Sequence, residues 1–226
     1  MQFRLVQDMD EADKSARCNE LYRSIFECRI CQKVIPSLVP RQLVPSTVSS
    51  PLAIMAQAPS EHGFRKTGLH WTRPEGTKKG RGAVFLDKHL RSIGYSIDQQ
   101  NNLARPYTTN VVHCWTGSIG TRDRPPSVAE IRACRQWWKK ELQIVRPRVL
   151  LLLGAPATDA FAIACELDFG FSEFVNQHSG VRVMFENLEL QSFALPNPTA
   201  PYPNQSVLYE TTFKEVGRIL SGLANQ

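Results

Sequence analysis

Six cysteines are the first residues of this 226-residue chain whose type and spacing can do chemistry. Cys28 and Cys31 stand three apart in "ECRICQ", the spacing at which two thiolates reach one metal centre or form one redox pair. Cys114 closes the stretch "PYTTNVVHC". Cys134 lies in "PPSVAEIRACRQWWKKELQIVRP", where Ile131, Trp138, Leu142 and Val145 share its side at helical spacing. A thiol at a strand end and one on the inner face of the next helix can approach each other. An N-terminal helix ending in "LYRSIFECRIC" can bring the first pair alongside. Four thiolates suit zinc or an iron–sulfur cluster. Zinc ribbons use two close pairs, whereas 19 residues separate Cys114 from Cys134. Cys18 and Cys165 read as small buried hydrophobes.

The elements that must position these thiols follow from pattern. "PLAIMAQAP" (51–59) and "PYTTNVVHC" (106–114) read as strands, and "RVLLLLG" (148–154) as a strand buried on both faces. "GAVFLDKHLRSIG" (82–94) reads as a helix with Val84, Leu86, Leu90 and Ile93 inward. The Cys134 helix opens with a capping box, Ser127 and Glu130. "APATDAFAIACEL" is a further helix, "VRVMF" and "LELQSFALP" strands or a hairpin, and "NQSVLYETTFKEVGRILSGL" the closing helix. Strands alternating with helices predict an α/β domain around a central, mostly parallel sheet flanked by helices. One domain over 1–226 is expected: an N-terminal helix and a Pro- and Ser-rich wrapping connector over 1–50, and an α/β core over 51–226. Ligands of such sheets bind outside the carboxyl ends of the strands. That rule selects "QAPSEHG", "NVVHC", "GAPAT" and "PNPTAPYPN".

The net charge of +6 is unevenly spread: residues 28–149 hold 20 Lys/Arg against 7 Asp/Glu. The densest run, "RKTGLHWTRPEGTKKGR" (65–81), carries six Lys/Arg and one Glu. Such a run is either a solvated loop or a contact for a polyanion, since Lys and Arg gain affinity by releasing phosphate counterions. Phe64, Trp71 and Phe85 interleave with it, as stacking on bases requires. The longest apolar run, "VLLLLGAPA", is too short to cross a bilayer, and "MQFRLVQDMDEADKSARCNE" has no apolar signal core. A cytoplasmic protein with reduced thiols and no membrane contact is expected, acting as a monomer.

One order of motifs spans about residues 28–220: a Cys-x-x-Cys, an Ala-Pro after the first strand, "TNVVHC", a helix with a fourth Cys, "RPRVLLLLGAPA" and a late "NPT". That order resembles the iron–sulfur uracil-DNA glycosylases, families four and five of the uracil-DNA glycosylase superfamily. The resemblance implies the glycosylase fold, with the N-terminal helix tied by a 4Fe-4S cluster on Cys28, Cys31, Cys114 and Cys134. It implies a hydrolase that flips out uracil or a 5-modified pyrimidine from DNA containing a damaged or modified base. The N-glycosidic bond is then cut, leaving an abasic site, in repair or in defence against modified foreign DNA. "AQAPSEHGFRKTG" resembles the first glycosylase motif. Trp71 falls where the family places an aromatic that stacks on the extruded base, and Asn110 where family four reads the pyrimidine edge. "LPNPTAPYPNQ" resembles the second motif, with Asn197 in place of the usual His, and Tyr202 becomes a candidate wedge. Lys78, Lys79 and Arg81 become candidate phosphate contacts.

The departures matter. The most active relatives carry Asp at the position of Ala58, and family four carries Glu at that of Gln57. With no carboxylate there, Glu61 and His62 are the nearest groups for orienting water, beside Gln57 and Asn197. Ser60 stands where the strictest uracil enzymes place a Tyr that excludes 5-substituents. Three classes of function follow: a monofunctional glycosylase, a nucleic-acid-binding relative with weak or lost catalysis, and an unrelated zinc or redox protein.

Overall fold

The computed structural model describes residues 9–31, 34–75, 79–98 and 102–223. Its centre is a five-stranded sheet of β1 (Leu52–Ala56), β2 (Tyr107–Asn110), β5 (Val149–Leu153), β6 (Val181–Phe185) and β7 (Leu188–Leu195), in the order β2-β1-β5-β7-β6. The pairs β1–β2, β1–β5 and β5–β7 are parallel, and only the β6–β7 hairpin is antiparallel. The expected central, mostly parallel sheet flanked by helices is therefore the observed one. A short antiparallel hairpin, β3 (Ser118–Ile119) and β4 (Arg122–Asp123), stands apart from it.

Alternation along the strands explains the two-sided core. Ala53, Met55, Leu150 and Leu152 face one way, with Trp138, Leu142 and Val145 of α4 (Val128–Val145) and Phe161 of α5 (Ala155–Ala164). α1 (Glu11–Glu27) adds Leu21, Tyr22 and Ile25 to this layer. Leu52, Ile54, Val149, Leu151 and Leu153 face the other way. They meet Leu86 and Leu90 of α3 (Arg81–Arg91), and Tyr209, Phe213 and Val216 of α7 (Gln205–Leu223). All five residues of β5 are buried, as a strand covered on both faces must be.

The Ser127–Glu130 capping box forms and starts α4. The inward face of α3 differs from its expected one. Val84 is 56% exposed, and Gly82, Ala83 and His89 are buried with Leu86 and Leu90. The cause is close packing. Gly82 lies directly against Thr199, and the His89 ring sits 5.2 Å from that of Tyr209 and 5.7 Å from that of Phe213. Two further short helices, α2 (Phe64–Thr67) and α6 (Phe171–Phe174), complete the described elements with a 3₁₀ turn at Pro45–Thr47. None of the described helices is long and apolar enough to cross a membrane.

Candidate functional site

The carboxyl ends of β1, β2, β5 and β7 lie along one edge of the parallel sheet, and the candidate residues are set there by strand register. Ala56 pairs with Asn110, and the Val111 and Val112 amides donate to the Ala56 and Gln57 carbonyls at 2.9 and 3.1 Å. Gln57 and Asn110 therefore leave the sheet side by side. Gly154 ends β5 with φ of 83°, and a Cβ there would lie 3.4 Å from Asn197 Cβ, so the second-motif loop rests on it. An Asx turn fixes Asn197: its Oδ1 accepts from the Thr199 amide at 2.9 Å and the Thr199 hydroxyl at 2.7 Å. With Oδ1 so engaged, the Nδ2 group is the donor Asn197 can present to a ligand.

The first-motif loop folds back on itself. A Cβ at Gly63 would meet Ser60 Oγ at 2.5 Å and the Thr72 carbonyl at 2.7 Å, so only glycine fits between the two ends of this loop. Ser60 is exposed. Glu61 and His62 lie at the surface, 34% and 64% exposed at the side chain, with Glu61 Oε2 3.8 Å from His62 Nε2. Asp123 of β4 holds this loop: its Oδ1 accepts from the Glu61 amide at 3.3 Å and from Trp115 Nε1 at 2.8 Å. Trp71 is half-buried at the rim of the α3–α7 core, in the left-handed region at φ 61°. Its Nε1 is buried and has no partner among the described residues. A bulky residue held there costs about 1–3 kcal/mol and marks a backbone that its surroundings over-determine.

Asn110 is 1% exposed, and its amide is held by a residue that sequence reasoning missed. Asn110 Nδ2 lies 2.9 Å from His70 Nε2, and His70 Nδ1 lies 3.0 Å from Thr108 Oγ1. The imidazole packs on Phe64, ring centroids 4.4 Å apart. Burial, with the nearby charges of Arg41 and His113, holds His70 well below the usual histidine range, so the ring is neutral.

Beneath β2 lies a buried ion pair, also missed from sequence. Arg41 donates to the Glu141 carboxylate and to the Thr108 carbonyl. Glu141, fully buried, also accepts from the hydroxyls of Tyr107, at 2.8 Å, and of Thr109. The guanidinium stacks 4.1 Å from the Tyr22 ring centroid. Burial opposes its charge, but Glu141 outweighs that and keeps Arg41 protonated.

The four candidate cluster thiols lie on or beside α1, β2 and α4, with α4 packed against both others. Cys28 caps α1, Cys114 follows β2, and Cys134 lies on the buried side of α4. Ile35, just beyond Cys31, forms an antiparallel bridge to Trp115, with N–H···O contacts of 2.9 and 3.0 Å both ways. Burial, then the charges of Cys28 and Cys31, push Cys114 up to about 11. Burial and the other three thiols push Cys134 up to about 12. Among the described residues no group of three or more His, Cys, Asp or Glu is arranged to hold a metal ion. Cys18 is fully buried beside Tyr107, and Cys165 caps α5.

The remaining candidates lie on the flanks. Lys79 is 53% exposed and pairs with Asp98 at 2.5 Å; Arg81 is exposed at the start of α3; Lys78 lies outside the described residues. Tyr202 is half-buried, its ring edge-on to Phe171 with centroids 6.0 Å apart. If the 65–81 run tracks phosphates, replacing Lys78, Lys79 and Arg81 by Ala should weaken DNA binding about equally on all sequences. The slope of log affinity against log salt should flatten by roughly one per lost contact. An unchanged slope would place the DNA track elsewhere.

The family model of the uracil DNA glycosylase superfamily matches residues 45–215. The type-5 uracil-DNA glycosylase of Pyrobaculum aerophilum is 30% identical over 135 residues, 58% of this chain and 57% of that protein. The match thus spans little more than half the length of that relative. The crystal structure of wild-type SMUG2 from Pedobacter heparinus aligns at 12% identity with a TM-score of 0.47, covering 79% of this chain and 77% of that one.

Proposed function

The chain belongs to the uracil DNA glycosylase superfamily, and from that membership we propose that it is a monofunctional DNA glycosylase. In this reading it extrudes uracil or a 5-modified pyrimidine from DNA and hydrolyses its N-glycosidic bond. The observation that carries the reading is the Asn110 amide, buried and anchored at the carboxyl end of a parallel strand. An amide there offers the donor and acceptor that a pyrimidine edge needs. A base must leave the stack before its glycosidic bond is reachable, and the half-buried, strained Trp71 is the stacking surface for it.

As the bond breaks, negative charge builds on the base and positive charge on the sugar. Preorganised donors lower the barrier by meeting the charge where it develops. Asn110 and Asn197 Nδ2 serve as those donors. Gln57, beside Asn110 at the sheet edge, orients the attacking water through its amide, with Glu61 and His62 at the mouth. No side chain here is a strong base, so the mechanism leans on leaving-group stabilisation.

Cys28, Cys31, Cys114 and Cys134 hold a 4Fe-4S cluster in this proposal. The motif order carries this ligand set: the described residues hold no group of three or more His, Cys, Asp or Glu arranged for a metal ion, and the support is four thiols on or beside α1, β2 and α4, with α4 packed against both others. When bound, the cluster cross-links the N-terminal helix to the sheet. Cys28→Ser and Cys134→Ser should lose brown colour, iron and sulfide together with solubility, and Cys18→Ser should keep them. The reverse pattern would contradict the ligand assignment.

Ser60 leaves room beside the base where a Tyr would close it. Wild type should release uracil or a bulkier 5-modified pyrimidine from oligonucleotides, read by alkaline cleavage of the abasic site. Ser60→Tyr should abolish release of the bulky base and spare uracil. Release of uracil alone by wild type, with no effect of Ser60→Tyr, would defeat the open-pocket reading.

A further inference from the structure

We propose that His70 plugs the base site of the free protein: its ring holds the Asn110 amide in place of a base, and a base enters by displacing it. The proposal rests on the glycosylase reading of this cleft.

The Asn110 amide is already occupied. Asn110 is 1% exposed, and its amide nitrogen lies 2.9 Å from His70 Nε2. The other ring nitrogen lies 3.0 Å from the Thr108 hydroxyl, and the ring packs on Phe64 with centroids 4.4 Å apart. Because that hydroxyl donates or accepts, either ring tautomer and either amide orientation makes the contact. In every case the polar edge of an imidazole covers the amide that a pyrimidine edge would need. Two rings cannot fill one place, so the base and His70 compete.

His70 sits on a short turn between fixed ends. The Gly68 carbonyl accepts from the Gln42 amide at 2.9 Å, and a Cβ on Gly68 would lie 2.3 Å from the Pro40 carbonyl oxygen. This end is therefore seated on the connector. At the other end the Thr72 hydroxyl lies 2.7 Å from that of Thr67, which closes the turn. Gly68 at φ 69° and Trp71 at φ 61° flank the plug in the left-handed region. A bulky residue stays there only while its surroundings hold it. Return of Trp71 to an ordinary φ releases that strain and swings His70 off Asn110. The ring has room to withdraw, since it borders a cavity of about 50 Å³ lined also by Arg41, Thr47 and Arg105. Being neutral, it breaks no ion pair as it leaves. The same turn carries Trp71, so unplugging the site and placing the stacking ring are one motion.

The test uses oligonucleotides carrying 2′-fluorinated deoxyuridine or its 5-hydroxymethyl form, whose glycosidic bonds resist cleavage. The same strand with adenine at that position is the control. An open state populated at about 0.1–10% lowers the apparent affinity for the analogue by that fraction. His70→Ala should therefore bind an analogue about 10- to 1000-fold more tightly and leave binding of the adenine strand unchanged. Thr108→Val keeps shape and removes one hydrogen bond of the plug. It should tighten analogue binding about 5-fold, and it serves if His70→Ala fails to fold. A merely structural role would weaken binding of all strands together. That result, or base release by wild type with no gain of analogue affinity in either variant, would overturn the plug and leave the glycosylase reading standing. If wild type and both variants bind analogue and adenine strands alike and release no base, the glycosylase reading fails and the plug with it.

Discussion

Arg41→Met is expected to destabilise the folded chain by about 3–5 kcal/mol, the range for removing one partner of a buried ion pair. The loss is large because the fully buried Glu141 carboxylate would be left with only the Tyr107 and Thr109 hydroxyls and the His113 ring, 3.4 Å away, in place of the guanidinium. The Thr108 carbonyl would lose its donor as well. Arg41→Met combined with Glu141→Gln should recover more than half of the loss, since an amide needs no counter-charge and can still accept from Tyr107. Urea unfolding of the two single variants and the double variant gives the coupling directly. A cost under about 1 kcal/mol for Arg41→Met would mean that the pair behaves like an exposed one, against its burial.

Asn110→Ala is expected to lower excision by about 100- to 1000-fold, as removal of a preorganised donor to a developing anion does. The same variant should bind undamaged DNA like wild type, because Asn110 is buried behind the first-motif loop and reaches no phosphate of stacked DNA. Single-turnover rates and a salt-matched binding assay separate the two effects. A rate loss under about tenfold would remove Asn110 from base recognition.

The sheet was legible because its signals are local. "VLLLL" is an apolar run that only a doubly covered strand explains, and Ser127 with Glu130 announces the start of α4. The α2 turn, the β3–β4 hairpin and α6 are two to four residues long, too short for any period to show. Val84 misled because the α3 face is chosen by close approach to Thr199 and α7, where Gly82, Ala83 and His89 fit. The site was legible in part. Asn110 and Asn197 were found by motif. His70 was not, since its contact to Asn110 crosses 40 positions and depends on how the first-motif loop turns. The Glu141–Arg41 pair did leave a signal: Glu141 lies three residues after Trp138 on the buried stripe of α4, and an acid there demands a buried partner. Nothing in "VPRQLVP" marks Arg41 as that partner before the connector is folded.

Base release from DNA is tested most directly by one measurement. The protein is incubated under single-turnover conditions with oligonucleotides carrying uracil or a 5-modified pyrimidine, and the products are resolved by mass spectrometry. The expected products are a free base and an intact strand bearing an abasic site, formed about 100- to 1000-fold more slowly by Asn110→Ala. Binding of these oligonucleotides by cluster-loaded protein with no base released from any of them would contradict the account. The chain would then be a nucleic-acid-binding member of the superfamily without catalysis.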